Sequence, residues 1–404
     1  MTARRSTAPW LLIAAGGMVL FLSIGARQGF GLYFAPIHAD LSLAREEFAR
    51  AVAVQYLLWG IVGPAAGVLA ERYSSRVTLV VGGALYTAGL VAASATQTAD
   101  GWLLSAGALV GLGLGGASFG VVTAAVVQGT PRERRGAALG AIGALTALGQ
   151  LLLLLYTELT IQWLGWRGSL LAAAALTVAI VPLSLLLPGP SAATRMATGD
   201  ARQGWAAISH ALRRTSFWLM GLGFAFSGFH VMFTMTHAPA WLGDMGMSSS
   251  VAVQALGAIS LTSFVGAWIW GRLCDRIRAE KLLVVIYCAR AAMAILAAVL
   301  PFSPITVTLY FALLGLFWMG TIPITSHLTA QLFGEHAMAS VYGTVFLLHQ
   351  AGGFAGTWLG GLVFDHHGSY RPMWFLIAAL CLIGAALALA LPSADRDGHA
   401  RRHA

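Results

Sequence analysis

Long apolar runs separated by short polar segments make up the whole chain. Each run has about 20 residues or more, which is the length that an α-helix needs to cross about 30 Å of hydrocarbon. This pattern predicts twelve spanning helices and leaves almost nothing for a soluble domain. The predicted helices comprise residues 10–34, 48–70, 77–98, 101–125, 138–159, 168–189, 216–240, 251–271, 282–300, 305–330, 339–362 and 372–392.

The composition agrees with a protein embedded in a lipid bilayer. Of the 404 residues, 58% are hydrophobic and only 10% are charged, which leaves too few polar side chains to cover a soluble globule. The first apolar run is too long for the core of a signal peptide, and no small-residue cleavage site follows it. We therefore expect this run to remain as the first spanning helix.

The net charge of +9 reflects the topology of the chain, and we expect no nucleic-acid partner. Of the 24 lysines and arginines, four are assigned to one side of the predicted bundle, two lie deep inside spans, and all others are assigned to the opposite side. The positive-inside rule then places both termini in the cytoplasm, with the chain in the cell (inner) membrane. The four outer residues are Arg45, Arg50, Arg167 and Arg371.

No cofactor, metal site or enzymatic site is predicted. The three cysteines, Cys274, Cys288 and Cys381, show no metal-ligand spacing. The chain has no Gly-x-x-x-x-Gly-Lys-Ser/Thr loop for nucleotide phosphates, and it has neither clustered acids nor a nucleophile beside a base. If the protein moves a solute, its transport is therefore expected to be secondary or facilitated.

A polar segment, residues 190–215, divides the predicted spans into six and six. The halves 1–189 and 216–404, the second ending in a short cytoplasmic tail, resemble each other at a fixed offset of 204 residues. Several matches at one offset indicate a duplicated unit, so we predict an all-α integral membrane protein of two pseudo-symmetric six-helix bundles joined by a cytoplasmic linker. Such duplicated bundles are typical of alternating-access transporters. The matches are 67–72 with 271–276, Gly111 with Gly315, Trp166-Arg167 with Tyr370-Arg371, and Leu187-Pro188 with Leu391-Pro392.

The loop between the second and third predicted helices carries a family signature. Its sequence, Gly67-Val68-Leu69-Ala70-Glu71-Arg72-Tyr73-Ser74-Ser75-Arg76, resembles the glycine, acid, arginine and basic pattern of the major facilitator superfamily, with Glu71 where that family usually has aspartate. The resemblance covers essentially the whole chain. It implies a gating charge network for Glu71 and Arg72, and for their repeat counterparts Asp275 and Arg276, while Arg76 is expected to anchor the loop.

Two further segments, residues 25–36 and 364–370, resemble bacterial carriers of the monocarboxylate and oxalate/formate group. The monocarboxylate carriers keep an arginine in helix 8, shortly before the loop that begins here at Gly271. The matching segment, residues 263–270, has no basic residue. The carboxylate-binding role of that helix is therefore not transferred to this chain.

Two arginines, Arg27 and Arg290, lie well inside predicted spans, and no acid lies comparably deep. A charge at the bilayer centre costs at least about 2.5 to 3.5 kcal/mol, so it usually faces a cavity or a partner. The resemblance implies that helices 1, 4, 7 and 10 line a central cavity, which makes Arg27, beside Gln28, a candidate carboxylate ligand. The alternative is an arginine that is satisfied by carbonyls or extends to the membrane surface. Arg290 lies on helix 9, an outer helix of the family, so contact with cargo and bracing of helices both stay open.

Histidines supply the candidate proton carriers. His230, Thr234 and His237 share one face of helix 7, and His349 lies on helix 11. His230 and His349 are near mid-depth, and histidine titrates near physiological pH; a neutral histidine bonded to a neighbouring helix is the alternative. Further candidates for substrate contact, any of which could instead bridge or pack helices, are Gln55, Tyr56, Ser118, Gln150, Trp318 and Gln350.

These features favour a secondary carrier of a small, monocarboxylate-like organic anion, working as a monomer by proton coupling or by exchange. Only Glu158 among the acids falls inside a predicted span, which disfavours carriers that use an intramembrane carboxylate for the proton. The alternative is an exporter of amphipathic or drug-like compounds, supported by the 13 tryptophans and 19 phenylalanines.

Overall fold

The computed structural model describes residues 9–70, 74–131, 134–187, 201–334 and 338–392. These residues form helices and connecting turns, with no β-strand among them. The chain separates into two compact units, Met1–Thr198 and Gly199–Ala404. Each unit contains its own set of packed helices.

The described residues of the first unit form nine α-helical segments. The first span changes at Phe30–Tyr33 into a 3₁₀ turn, and the fourth span contains a π-helical stretch at Leu103–Leu109. The α-helices are α1 (Pro9–Gln28), α2 (Phe34–Leu41), α3 (Arg45–Leu69), α4 (Ser75–Ser94), α5 (Ala99–Trp102), α6 (Val110–Gly116), α7 (Phe119–Gln128), α8 (Arg135–Thr177) and α9 (Ile180–Leu185).

The second unit contains eight α-helices in the described residues. A short helix precedes its first span, and its fourth span is interrupted between α14 and α15. The helices are α10 (Ala201–Leu212), α11 (Thr215–Asp244), α12 (Ser249–Leu273), α13 (Ala279–Val299), α14 (Pro304–Leu316), α15 (Thr321–Phe333), α16 (Met338–His367) and α17 (Arg371–Leu389).

The predicted twelve transmembrane helices are confirmed, although two of them run together in the structure. The apolar segment Arg135–Leu185 has 51 residues, and at about 1.5 Å per residue it is far longer than one crossing needs. Gly165 has φ 68° and ψ 174°, a conformation that only glycine adopts readily, and it divides the segment into the fifth and sixth spans. The eleventh span is α16, whose 30 residues exceed the length of a single crossing.

The first span extends beyond its predicted end at residue 34. The apolar segment runs over Trp10–Leu41, because the 3₁₀ turn changes the helix without ending it. The helix ends where Ser42 adopts a left-handed backbone with φ 55°. The second span begins at Arg45, earlier than predicted, where the backbone N–H of Ala44 donates to Glu47 Oε2 at 2.9 Å.

The predicted polar linker, residues 190–215, contains a helix. Residues 190–200 lie outside the described residues, and α10 follows them. Ala211 on this helix is fully buried in an apolar cluster with Phe217, Phe224 and Ile286, whereas Trp205 is 72% exposed. One side of α10 therefore packs on the other helices of the second unit, although its sequence is polar enough to suggest a loop.

Matching glycines place the same helix crossing in both repeats. A Cβ atom added at Gly111 would lie 2.9 Å from the Cα atom of Gln55, and one at Gly315 would lie 3.0 Å from the Cα atom of Ile259. Both glycines, and both contacted residues, are separated by the 204-residue offset. Backbones of the second and fourth spans thus touch at equivalent points in the two units, as small residues allow in membrane proteins.

Candidate functional site

Arg27 lies in the last turn of α1 and is only 7% exposed. A cation at a helix C-terminus interacts favourably with the helix dipole. The turn that follows is possible because residue 29 is glycine: a Cβ atom there would lie 2.7 Å from Thr157 Oγ1 on α8. Close packing of α1 on α8 therefore fixes the segment that carries Arg27.

The guanidinium of Arg27 makes one hydrogen bond within the described part of the chain. Its Nη1 donates to the Tyr56 hydroxyl at 2.8 Å, and its Cζ lies 5.0 Å from the ring centre of Tyr56 and 5.4 Å from that of Trp59. The Nε atom is buried without a partner. No described carboxylate forms an ion pair with Arg27, so its Nε is left to bind another acceptor.

Trp59 was not predicted as part of this site. It lies three residues after Tyr56 on α3, and residues at this spacing share a helix face. Both rings lie within the distance at which an arginine interacts with an aromatic face. The spacing alone could have identified Trp59 once Tyr56 was chosen.

Two glutamines lie near this group in the sequence. Gln28, which follows Arg27, is 6% exposed, and Gln55, which precedes Tyr56, is fully buried. Gln55 Nε2 donates to the carbonyl of Ala106 in the π-helical stretch, while its Oε1 is buried without a partner. Gln55 therefore ties α3 to the fourth span and retains one unused acceptor.

Ser118 and Gln150 are not joined to Arg27 by any hydrogen bond in the described residues. Ser118 is buried at the interruption between α6 and α7, where its side chain makes no capping hydrogen bond. Gln150 is half-buried on α8. Both stay predictions as substrate contacts.

Arg290, on α13, is fully buried in the second unit. Its Nε donates to the Phe317 carbonyl at 3.1 Å, its Nη1 donates to Ser227 Oγ at 2.7 Å, and its Nη2 donates to the Trp318 carbonyl. All three nitrogens of this guanidinium thus bind groups of the protein, in contrast to Arg27.

Trp318 connects Arg290 with His230. The ring centre of Trp318 lies 5.7 Å from that of His230 and 5.9 Å from Arg290 Cζ. His230 is fully buried, its ring also faces Trp374 at 6.3 Å, and neither of its nitrogens has a hydrogen-bond partner among the residues that the structure describes. The structure therefore brings Arg290, Trp318 and His230 together, with an imidazole that retains one donor and one acceptor when neutral.

The other histidine on the same face is bonded within the protein. His237 Nδ1 lies 2.8 Å from the Tyr370 hydroxyl, and Nε2 lies 2.8 Å from the Thr357 carbonyl. Since a carbonyl only accepts, Nε2 carries the proton and Nδ1 accepts from Tyr370. Thr234, between the two histidines, has a buried hydroxyl without a partner.

His349 and Gln350 form a second polar group, on α16. His349 Nδ1 lies 3.1 Å from Gln350 Oε1, and the imidazole packs 4.4 Å from the ring centre of Phe224 and 5.9 Å from that of Phe346. His349 therefore has an amide partner that His230 lacks.

Half of the predicted gating network can be placed. Glu71 and Arg72 lie outside the described residues. Asp275 and Arg276 are exposed and line a cavity of about 230 Å³. No ion pair joins Asp275 to Arg276 in the described part of the chain; the pair at this cavity is Arg278 with Glu280, at 3.0 Å.

A cluster around Arg167 was missed by sequence reasoning, which used this residue as a topology marker and as part of a repeat match. Its Nη1 donates to the Ser94 and Thr96 carbonyls, each at 2.8 Å, and its Nη2 lies 3.1 Å from Asp40 Oδ2. The indole N–H of Trp166 donates to the same carboxylate oxygen at 3.1 Å. The cluster ties α2 to the end of α4 and to the bend at Gly165.

A membrane bundle of twelve helices in two related halves, with a buried arginine in each half, is the architecture of a secondary transporter. The family model of the Major Facilitator Superfamily matches residues 16–357, and the chain belongs to this family. It is therefore a multi-pass membrane transporter of a small-molecule substrate, and not an enzyme.

The similar proteins are distant in sequence but extend over most of the chain. Monocarboxylate transporter 13 of Rattus norvegicus is 25% identical, over 95% of this chain and 89% of the relative. The oxalate:formate antiporter of Oxalobacter formigenes is 21% identical, over 94% and 90%. The crystal structure of the nucleoside transporter NupG has a TM-score of 0.78 at 13% identity and covers 94% of this chain and 99% of that one; this likeness concerns the fold alone.

Proposed function

We propose that the chain is a secondary transporter of a small, monocarboxylate-like organic anion, which it moves by alternating access across the cell (inner) membrane. The observation that carries this proposal is the buried guanidinium of Arg27: within the described residues its one hydrogen bond uses Nη1 and its Nε has no partner, so we infer that the Nε–Nη2 edge binds the ligand. Such an edge fits the two oxygens of a carboxylate. Similarity to monocarboxylate transporters and to an oxalate:formate antiporter supports the same cargo class.

In this proposal Arg27 binds the carboxylate, and Tyr56 and Trp59 hold the guanidinium. The hydroxyl of Tyr56 accepts from Nη1, which turns the other edge toward the cargo. The aromatic faces stabilise the positive charge by about 0.5 to 2 kcal/mol. The remaining proposed contacts in the first unit are Gln28, Gln55, Ser118 and Gln150.

In the second unit His230 and Trp318 are the proposed substrate contacts, together with His349 and Gln350. His230 is the preferred one, because its two buried nitrogens have no partner whereas His349 already contacts Gln350. A buried polar group without a hydrogen-bond partner raises the free energy of the folded protein. A ligand or water that bonds to His230 removes this cost, and its binding is favoured for that reason.

Two coupling modes fit these residues. Proton symport would use His230 or His349 as the titrating group, and anion exchange would need no titrating group. Uptake into proteoliposomes distinguishes them: under symport an inward proton gradient accelerates uptake by the wild type, and we expect either His230→Gln or His349→Gln to lose this acceleration while exchange counterflow remains. The variant that loses the acceleration identifies the titrating histidine, and an exchanger shows no such acceleration in any variant.

The gating residues, the topology and the oligomeric state complete the proposal. Glu71 and Arg72, with Asp275 and Arg276 in the second repeat, are assigned to opening and closing on the cytoplasmic side. Both termini are assigned to the cytoplasm by the distribution of basic residues. A single duplicated bundle is assigned as the functional monomer.

A thermal-shift screen of the purified protein tests the proposed cargo. The panel contains formate, acetate, lactate, pyruvate and oxalate, with hydrophobic cations as the contrasting set. A ligand that binds only the folded state raises the melting temperature. Stabilisation by a carboxylate that is lost in Arg27→Ala supports the anion site, whereas stabilisation only by the hydrophobic cations, unchanged in that variant, would favour an exporter of amphipathic compounds.

A further inference from the structure

The tenth span is interrupted, and side chains donate hydrogen bonds to the backbone carbonyls at the interruption. α14 ends at Leu316 and α15 begins at Thr321. Backbone groups at such a break in a membrane need partners, because lipid offers none. The indole N–H of Trp270 donates to the Leu316 carbonyl at 2.7 Å, and Arg290 donates to the next two carbonyls, those of Phe317 and Trp318.

The third nitrogen of Arg290 extends this arrangement to α11. Nη1 donates to Ser227 Oγ at 2.7 Å, and Ser227 Oγ lies 3.1 Å from Thr321 Oγ1, at the start of α15. The guanidinium therefore joins α13 and α11 to both sides of the break. With Nε, Nη1 and Nη2 each directed at a protein acceptor, little of this guanidinium is left for cargo.

The first repeat uses the same positions at its own break. The residues 204 positions before Ser227, Arg290 and Thr321 are Ser23, Tyr86 and Ala117. Tyr86 Oη donates to the Ser23 carbonyl at 3.1 Å. Ser23 Oγ donates in turn to the Ala117 carbonyl at 3.4 Å, at the break between α6 and α7. In the first repeat a neutral phenol stands in place of the cation, and it contacts Ser23 as Arg290 contacts Ser227, so this contact between equivalent helices does not require a charge.

We propose that Arg290 is a positioning residue that holds the break at residues 317–320 and thereby keeps Trp318 against His230. It acts on substrate affinity through these two side chains and makes no contact with the cargo. The effect on affinity rests on the proposed transport of an organic anion. The structural role of Arg290 at the break does not.

Hydrogen–deuterium exchange of the purified protein tests the structural role without any ligand. Arg290→Lys keeps the charge but loses the planar fork, and Ser227→Ala is a milder variant that removes one acceptor. We expect amides of residues 314–324 to exchange about tenfold faster in Arg290→Lys and less so in Ser227→Ala, with residues 110–124 unchanged. Ser23→Ala, which removes the donor to the Ala117 carbonyl, is the matched control in the first repeat and should instead affect residues 110–124. Unchanged exchange of 314–324 in both Arg290→Lys and Ser227→Ala would overturn the proposal.

A double-mutant cycle tests the route to the substrate. The dissociation constants of lactate and oxalate are measured for Arg290→Lys, Trp318→Phe and the double variant. We expect the double variant to bind the anions no more weakly than the single variant of lower affinity does. Both substitutions act on the same feature, the position of Trp318 at the break, so their effects should not add. Additive losses, or full affinity in Arg290→Lys despite faster exchange at 314–324, would refute action through Trp318. If the wild type binds neither anion, the proposed cargo fails, and the exchange measurement still decides the role of Arg290 at the break.

Discussion

Replacing Arg27 by lysine separates the charge of this residue from its hydrogen-bonding geometry. Lysine keeps a positive charge at the same depth, but its ammonium is a point charge without the planar fork. In the structure Nη1 is used by Tyr56 at 2.8 Å, and only the Nε–Nη2 edge is available for a bidentate carboxylate. The substitution therefore removes one of two charged hydrogen bonds to the cargo and weakens the other.

The expected loss of affinity follows from the strength of these bonds. A hydrogen bond to a charged group contributes about 1.5 to 3 kcal/mol, so loss of one bond weakens binding about 10- to 150-fold. Arg27→Ala removes both bonds and the charge, and we expect it to abolish detectable carboxylate binding. The order of affinity is thus wild type, then Arg27→Lys, then Arg27→Ala.

Thermal shift and isotope uptake measure this order. At a ligand concentration of 100 times the dissociation constant, stabilisation is about 2.7 kcal/mol, and a hundredfold weaker variant at the same concentration retains about 0.4 kcal/mol. Each variant is compared with its own melting temperature without ligand, which removes any effect of the substitution on the fold. Equal carboxylate stabilisation of Arg27→Lys, Arg27→Ala and wild type would refute the assignment of Arg27.

Three further substitutions test other contacts. Tyr56→Phe removes the acceptor of Arg27 Nη1, and we expect weaker carboxylate binding by about 3- to 10-fold, as for one ordinary hydrogen bond, measured by the same thermal shift. Arg167→Ala removes the bonds to Asp40 and to the Ser94 and Thr96 carbonyls; we expect a loss of about 1 to 3 kcal/mol in stability and a lower melting temperature, with the affinity for carboxylates retained. In Gly315→Ala the added Cβ would lie 2.8 Å from the Ile259 carbonyl oxygen, so we expect a loss of about 1 to 3 kcal/mol, whereas Gly243→Ala, which meets nothing within 4 Å, should leave the melting temperature unchanged or raise it. Wild-type stability of Gly315→Ala, or lost affinity in Arg167→Ala, would contradict these assignments.

The sequence identified the polar residues within the spans, but it could not show which of them are hydrogen-bonded within the protein. His230 and His237 share a helix face and look equivalent in the sequence. In the structure His237 is bonded to Tyr370 and Thr357, while His230 has no hydrogen-bond partner among the described residues. The partners of His237 lie 133 and 120 residues away along the chain, so helix periodicity carries no information about them.

The two buried arginines illustrate the same division. Each was recognised from the sequence as a cation inside an apolar span. Only the tertiary structure distinguishes Arg27, with a free guanidinium edge, from Arg290, with three protein acceptors. Two of the acceptors of Arg290 are carbonyls at a helix break, and a backbone carbonyl is common to every residue type.

The sequence by itself determined the membrane location, the twelve spans, the duplication and the family, because apolar length, repeat offset and charge placement are properties of the chain in order. The exact ends of helices, the turn after Arg27 and the helix α10 in the predicted linker required the fold, since each depends on a close contact such as Gly29 with Thr157 or Ala211 within an apolar cluster. The proposed site depends most on tertiary structure. Its chemistry lies in which donors and acceptors remain unpaired after the helices have packed, and packing joins residues that are far apart in the sequence.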